Sequence, residues 1–202
     1  MKITAIKALV CNAEMRNWVF VRVETDEPGL FGWGEATLEW KTRAVVGALQ
    51  DLEALLIGQD PRNVEQCYQI LTRHGFWRLG VEGMSAVSGI EIALWDILGK
   101  SLGVPVWRLL GGQVRDYLRT YTHLGLGDMK AVYESGSADT IVERGRIVTQ
   151  AGYDAVKVVC RDTQSVLKLG RAIPLVLKVA GKLAPYMALN ELLLAHRQQP
   201  SF

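Results

Sequence analysis

The stretch from Ser85 to Leu102 constrains this chain more than any other. Wound as a helix it is apolar on nearly every side, so no face of it can be left in water and it must be surrounded by other elements. Ser85 is placed to cap its start, Gly103 to stop it, and Pro105 to prevent its continuation. Ala86, Gly89 and Ala93 recur at spacings of three and four, giving one edge of the helix side chains small enough for a neighbouring backbone to approach closely. The helix therefore belongs at the centre of a helical layer, and Glu91 and Asp96, carried on it, need polar partners.

The flanking segments supply what could surround it. Residues 3–10 and 17–24 are rich in Ile, Val, Phe and Ala, and the second alternates as a half-buried strand should. Asp26-Glu-Pro-Gly29 is a turn signal, and Leu30 to Ala36 reads as a third strand, giving a three-strand antiparallel meander. Val45, Val46, Leu49, Leu52, Leu55 and Leu56 fall on one face of a helix from Thr42 to Ile57 that ends at Gly58. Asp60-Pro61 opens a second helix to about Arg73. Beyond the central helix, Tyr117 to His123 is a strand, Gly125 to Gly136 a glycine-bearing loop, Ser137 to Gln150 a helix and Asp154 to Val159 a strand. That order is one βαβ unit, which belongs in a parallel sheet covered on both faces. Trp18, Trp33, Trp77 and Trp95 are read as core aromatics, and Glu35 as an ion-pair partner.

Composition narrows the function. At 202 residues, 49% hydrophobic and 22% charged, the chain can bury one or two cores. No stretch has the roughly 18 to 20 consecutive apolar residues of a membrane span, and the start lacks the apolar run of a signal peptide, so a cytoplasmic protein without membrane contact is expected. A net charge of +2 is too small to point to nucleic acid. Cys11, Cys67 and Cys160 are widely spaced and are read as buried reduced thiols rather than a disulfide framework or zinc site.

Ala86-Val-Ser-Gly-Ile-Glu-Ile-Ala-Leu-Trp-Asp-Ile-Leu-Gly-Lys100, followed by Pro105-Val-Trp-Arg-Leu-Leu-Gly-Gly112, resembles the signature of the mandelate racemase and muconate lactonizing enzyme family of the enolase superfamily. Small, acidic, glycine and basic positions fixed over about 27 residues make this far more specific than a short glycine motif. Gly32-Trp-Gly-Glu-Ala36 resembles the family's third cap strand, Leu56-Ile-Gly-Gln-Asp-Pro61 its first helix end, and Ala151-Gly-Tyr-Asp-Ala-Val-Lys157 its second barrel strand. The resemblance covers residues 1–159. It implies an α+β amino-terminal cap over 1–116 and the first βαβ portion of an incomplete (β/α)-barrel over 117–159. Gly75-Phe-Trp-Arg78 and Tyr121-Thr-His123 look more like the sugar-acid dehydratase branch, of mannonate or galactonate type, than the racemases.

The resemblance further implies Mg²⁺, abstraction of the proton α to a carboxylate, and loss of water from a small-molecule sugar acid. By position, Glu39 and Trp40 fall on the cap loop that closes over substrate, and Glu14 to Asn17 on the other specificity loop. His123 matches a histidine that contacts substrate from the end of the first barrel strand, with a satisfied strand-end histidine as the alternative. Lys157 stands first in the family's Lys-x-Lys pair, but Val159 occupies the second place, which argues against a racemase-type lysine base and leaves Lys157 as an orienting charge or remnant. Glu91 and Asp96, on a cap helix, are structural.

A (β/α)-barrel takes about 250 residues, and only 86 run from Tyr117 to the last residue. The family's ligands for a hard divalent cation are three carboxylates on later strands. After Val159 the acidic residues are Asp162 and Glu191, so no metal set is expected, and His196 does not replace the later catalytic histidine. Residues 160–202 carry six basic residues against those two acids and read as Leu-rich, loosely helical material interrupted by Pro174 and Pro185. They are expected to be a non-family tail, possibly frameshifted. The expectation is thus a truncated, inactive member of a Mg²⁺-dependent dehydratase family. The alternatives are a non-catalytic fragment or pseudogene product, or a basic-tail binding module, and homo-oligomerisation is open.

Overall fold

The computed structural model describes residues 1–13, 16–124 and 138–157. Glu14, the 125–136 loop, Ser137, Val159, Cys160 and the tail expected over 160–202 lie outside the described residues. The chain forms two compact units, Met1–Asp116 and a second from Tyr117 onward.

The first unit is an α+β cap. Strands β1 (Ile3–Ala13), β2 (Arg16–Thr25) and β3 (Phe31–Glu35) form an antiparallel sheet in sequence order. On them pack helices α1 (Thr42–Leu56), α2 (Val64–Arg73) and α3 (Val81–Leu102), followed by a short α4 (Val106–Leu109). Val19, Val21 and Val23 on the inner face of β2 are fully buried, as the alternation requires. The α1 face is as read: Val45, Leu49, Leu52 and Leu56 are buried, with Val46 and Leu55 packed against the same core.

Helix α3 sits at the centre of this core. Ala86, Val87, Ile90, Ala93, Leu94 and Ile97 have no exposed surface, and truncating any of the larger ones to Ala would cost about 2–5 kcal/mol. The small-residue edge meets β3 as expected. A Cβ at Gly34 would collide with the Gly89 carbonyl and one at Gly32 with the Ala93 carbonyl, so at these two points strand and helix meet backbone to backbone. A Cβ at Gly89 would in turn stand 2.7 Å from Ala36 Cβ. Glu91 and Asp96 on α3 both find partners. Glu91 Oε1 accepts from Trp95 Nε1 at 2.6 Å. Asp96 Oδ2 accepts from the Trp33 N–H at 2.9 Å and from Lys100 Nζ at 2.6 Å, while the same ammonium donates to the Phe31 carbonyl at 2.8 Å.

Two helix starts differ from expectation. α3 begins at Val81 rather than after Ser85, because the Met84 N–H already bonds to the Gly80 carbonyl at 2.9 Å; the Ser85 hydroxyl donates back to the Val81 carbonyl instead of capping. Its end is as read, with Gly103 left-handed at φ 67° and Val104 N–H returning to Gly99 O at 2.9 Å. α2 begins at Val64 rather than at Pro61. The Asp60 carboxylate captures the Arg62 N–H at 2.9 Å and its guanidinium at 2.6 Å, and Asn63 N–H closes a turn on Asp60 O, which delays the helix by three residues.

The surface brings further corrections. Trp18, Trp33 and Trp77 are exposed rather than core, because the outer sheet face and the 74–80 loop have nothing described over them; Trp95 alone of the four packs on the core. Cys67 is buried, and burial pushes its thiol pKa up, but Cys11 is on the exposed sheet face. Glu35 is exposed and has no ion-pair partner among the described residues. No described helix is long and apolar enough to cross a membrane.

The second unit contains the expected βαβ order: β4 (Thr122–His123), α5 (Ala138–Gln150) and β5 (Val156–Lys157), with β4 and β5 parallel. β4 is far shorter than Tyr117 to His123, because Tyr117, Leu118 and Tyr121 lie exposed outside the ladder. Arg119 ties the strand starts together, donating to the Asp154 carboxylate at 2.9 Å and to its carbonyl at 3.0 Å; this hydrogen bond holds the Asp154 pKa below the ordinary carboxylate value.

Gly34→Ala should destabilise the cap by about 3 kcal/mol or prevent folding, measured by urea denaturation; a loss under about 1 kcal/mol would show that strand and helix can separate cheaply. Asp60 supplies a pH signature. The Arg62 hydrogen bond lowers its pKa to about 2, below the roughly 3.9 of an unfolded Asp, so its stabilisation is present above about pH 4 and lost as pH falls toward 2. Since both side chains are partly solvated, the effect should be about 1 kcal/mol. Melting curves of Asp60→Asn and the unmodified chain should differ at pH 6 and converge near pH 2; a constant difference would exclude this linkage.

Candidate functional site

The residues singled out in the sequence fall into two groups, one in each unit. In the cap, the loop after β3 is fixed to the start of β2. Ala36 N–H bonds to Val19 O at 2.8 Å, and the Val19 N–H donates to Thr37 Oγ1 at 2.9 Å. Leu38 to Lys41 then form a turn closed by Lys41 N–H on Leu38 O at 3.1 Å.

Within that turn the two candidate residues have different environments. Glu39 Oε1 pairs with Arg16 Nη1 at 2.6 Å. Arg16 is the first residue of β2, where the β1–β2 hairpin closes with Ala13 opposite it. Asn17 adds a longer bond, Nδ2 to Thr42 Oγ1 at 3.4 Å. The two loops expected to bear on specificity are therefore joined, and the carboxylate of Glu39 is charge-compensated. Trp40 is 75% exposed and has φ 62°, the only left-handed non-glycine among the described residues. It occupies the third position of the turn, where a positive φ ordinarily selects glycine. Placing a bulky L-residue there costs about 1–2 kcal/mol. Lys41, next in sequence, reaches Glu82 at the start of α3 at 3.8 Å.

In the second unit, His123 and Lys157 are paired directly in the parallel ladder, each the last residue of its strand. Residues so paired project to the same face of the sheet. The Leu124 N–H bonds to Lys157 O at 3.3 Å, continuing the ladder past His123. His123 is half-buried, and its Nδ1 is buried with no hydrogen-bond partner among the described residues; Lys157 is exposed. His123 stands at the strand end expected of it, and among the described residues its Nδ1 has no partner of the kind a structural histidine would show.

Among the described residues there is no group of three His, Cys, Asp or Glu side chains that could hold a metal ion. The described residues do not fit a resident Mg²⁺. A groove along α3, about 590 Å³ and lined by Trp33, Glu91, Ile92, Trp95, Asp96, Val106 and Leu110, is mainly apolar, and its two carboxylates are already engaged. Arg16 is the residue that sequence reasoning left without a role. It stood inside a named loop, but its partner is 23 residues away and no local spacing links the two.

Comparison with known proteins agrees with this architecture. Residues 3–111 match the mandelate racemase / muconate lactonizing enzyme, N-terminal domain. A D-galactonate dehydratase of Verminephrobacter eiseniae is 54% identical over 114 residues, 56% of this chain and 29% of that protein. One from Ralstonia nicotianae is 42% identical over 156 residues, 77% of this chain and 38% of that protein. The chain thus spans well under half the length of these curated relatives. A crystal structure of an enolase from Pantoea ananatis with bound D-gluconate and Mg is similar with a TM-score of 0.67 and 34% identity, over 78% of this chain and 36% of that one. The match over the whole cap, joined to the signature on α3, shows that the chain belongs to the mandelate racemase and muconate lactonizing enzyme family of the enolase superfamily.

Proposed function

We propose that this chain is the substrate-gating part of a Mg²⁺-dependent sugar-acid dehydratase and is catalytically silent as these 202 residues. The observation that carries the gating role is Trp40: strain is kept at an exposed position, on a loop held to the neighbouring hairpin by the Glu39–Arg16 pair. Such strain persists where surrounding contacts over-determine it, and it concentrates at ligand clamps. An indole presented this way offers a flat apolar face to the C–H side of a polyhydroxy acid. Glu39, neutralised by Arg16, serves as a hydrogen-bond acceptor for hydroxyls rather than as a base. In the second unit, taken by itself, the resemblance assigns Lys157 to an acid's negative charge and His123, whose Nδ1 has no hydrogen-bond partner among the described residues, to a hydroxyl.

Galactonate-type acids are the substrate class in this reading, because the named relatives are D-galactonate dehydratases. The bound Mg and D-gluconate of the Pantoea ananatis structure support a Mg²⁺-dependent acid chemistry for the intact protein. A cytoplasmic location, with neither membrane nor nucleic acid as partner, belongs to the same reading. The silent state rests on the composition after residue 159, which favours a replaced, frameshifted continuation over a third barrel strand.

Two measurements test these parts separately. Millimolar Mg²⁺ should leave the melting temperature of the 202-residue chain unchanged; a rise that grows with Mg²⁺ concentration would reveal a folded-state metal site and overturn the silent state. Resequencing the gene through codon 159 and translating all three frames beyond it should uncover barrel strands bearing an aspartate and then two glutamates. If no frame contains them, the chain is a non-catalytic protein in its own right and the dehydratase reading fails.

A further inference from the structure

The two edges of the cap sheet are treated differently. On β3 two outward main-chain groups are met by α3: Asp96 takes the Trp33 N–H and Lys100 donates to the Phe31 carbonyl. On β1 the seal covers only the first half. Ile3 exchanges bonds with the 58–59 turn, its N–H to Gln59 O at 2.9 Å and its carbonyl from Gly58 N–H at 2.9 Å, and the Ile6 N–H donates to Glu53 Oε1 at 2.8 Å. Beyond Ile6 the seal stops.

The register identifies which groups remain open. Val19 turns its main chain toward β3, since its carbonyl accepts from Ala36 and its N–H reaches Thr37. Alternation then turns Trp18, Phe20 and Arg22 toward β1, where they pair with Cys11, Leu9 and Lys7. Ala8 and Val10 must therefore point their N–H and C=O groups outward, as Ile6 does. Among the described residues these groups have no hydrogen-bond partner. The run Ala8-Leu-Val-Cys-Asn12 also lacks every residue that ordinarily blunts an edge: it has no charge and no proline. Leu9 is 43% and Val10 50% exposed.

We propose that this open half of β1 is a homodimer seam, in which β1 of a second copy pairs antiparallel about a two-fold axis through Val10. The occupant is a second copy because the segment is complementary to itself. The axis sets Val10 against Val10 of the partner subunit, in a hydrogen-bonded pair, and Leu9 against the partner's Cys11, in the closer non-bonded pair. Charge permits it as well. Each Lys7 falls opposite an alanine, Ala13, which keeps the two ammonium groups roughly 20 Å apart along the seam. Each Lys7 is also already neutralised by Glu24 of its own chain at 3.0 Å. On the outer face the pairing aligns Leu9 and Phe20 of one copy with Cys11 and Trp18 of the other, joining two apolar strips into one. This seam depends on the cap alone and not on the dehydratase reading.

The register makes a covalent test possible. Cα atoms of a non-hydrogen-bonded pair lie about 4.5 Å apart, within disulfide range. In the full chain, Leu9→Cys should therefore link to Cys11 of a second molecule under oxidised glutathione, giving a covalent dimer on non-reducing gels. Leu9→Cys combined with Cys11→Ser should not. Adding Val10→Lys to Leu9→Cys places two ammonium groups face to face and should lower the cross-linked fraction by about tenfold, with the melting temperature kept because Val10 is half-exposed. Cross-linking that persists without Cys11, or that is unmoved by Val10→Lys, would overturn the seam. So would a single-chain mass for the unmodified protein at all concentrations in sedimentation.

Discussion

The cap depends on a contact without side chains. β3 lies on α3 through Gly32 and Gly34 against the carbonyls of Ala93 and Gly89. Because backbone meets backbone, the spacing of sheet and central helix is fixed by main-chain radii and cannot be adjusted by rotamers. The outer residues of β3, Phe31 and Trp33, are consequently lifted to a fixed height over the helix edge. There Arg22 stacks on the Phe31 ring at 3.9 Å and Lys100 stands 5.0 Å from the same ring. The polar contacts of Asp96 and Lys100 with β3 follow from the same approach, since side chains of that length reach a strand edge only when the helix is this close.

The site inherits its geometry from this packing. The turn that carries Glu39 and Trp40 leaves β3 directly, and its first hydrogen bonds return to Val19, whose side chain is buried in the core. The loop therefore starts from one of the most constrained points in the cap. Its outer end is held by a charge pair whose members are each about one-third exposed. Such a pair contributes little to global stability, but it determines which way a short loop leans.

Much of this fold could be read from residue order because the signals were local. The i, i+3, i+4 pattern of α1, the Gly103 stop and the small edge of α3 each state a physical requirement within a few residues. The two misplaced helix starts came from competition that spacing does not reveal. Asp60 has to choose between capping and closing its own turn, and Ser85 can bond forward or back by one turn. Trp18 and Trp33 were misassigned because size alone suggests burial, whereas a sheet with one covered face leaves alternate aromatics outside, and Trp77 because it lies in an exposed loop. At the site, the strand-end position of His123 and the place of Lys157 on the following strand were legible from the motif. The Arg16–Glu39 pair and the left-handed Trp40 were not, since both arise from how a turn closes in space.

The sealing of β3 by α3 also matters during synthesis. The Phe31 carbonyl waits for Lys100, a group 69 residues later in the chain. At a translation rate of about 5–20 residues per second, the strand leaves the ribosome roughly 3 to 14 seconds before the residue that closes its edge exists. For that interval the Phe31 carbonyl lacks its α3 partner, although α1 already follows β3 in the chain. The edge contact at Phe31 is therefore completed late, only when the central helix docks.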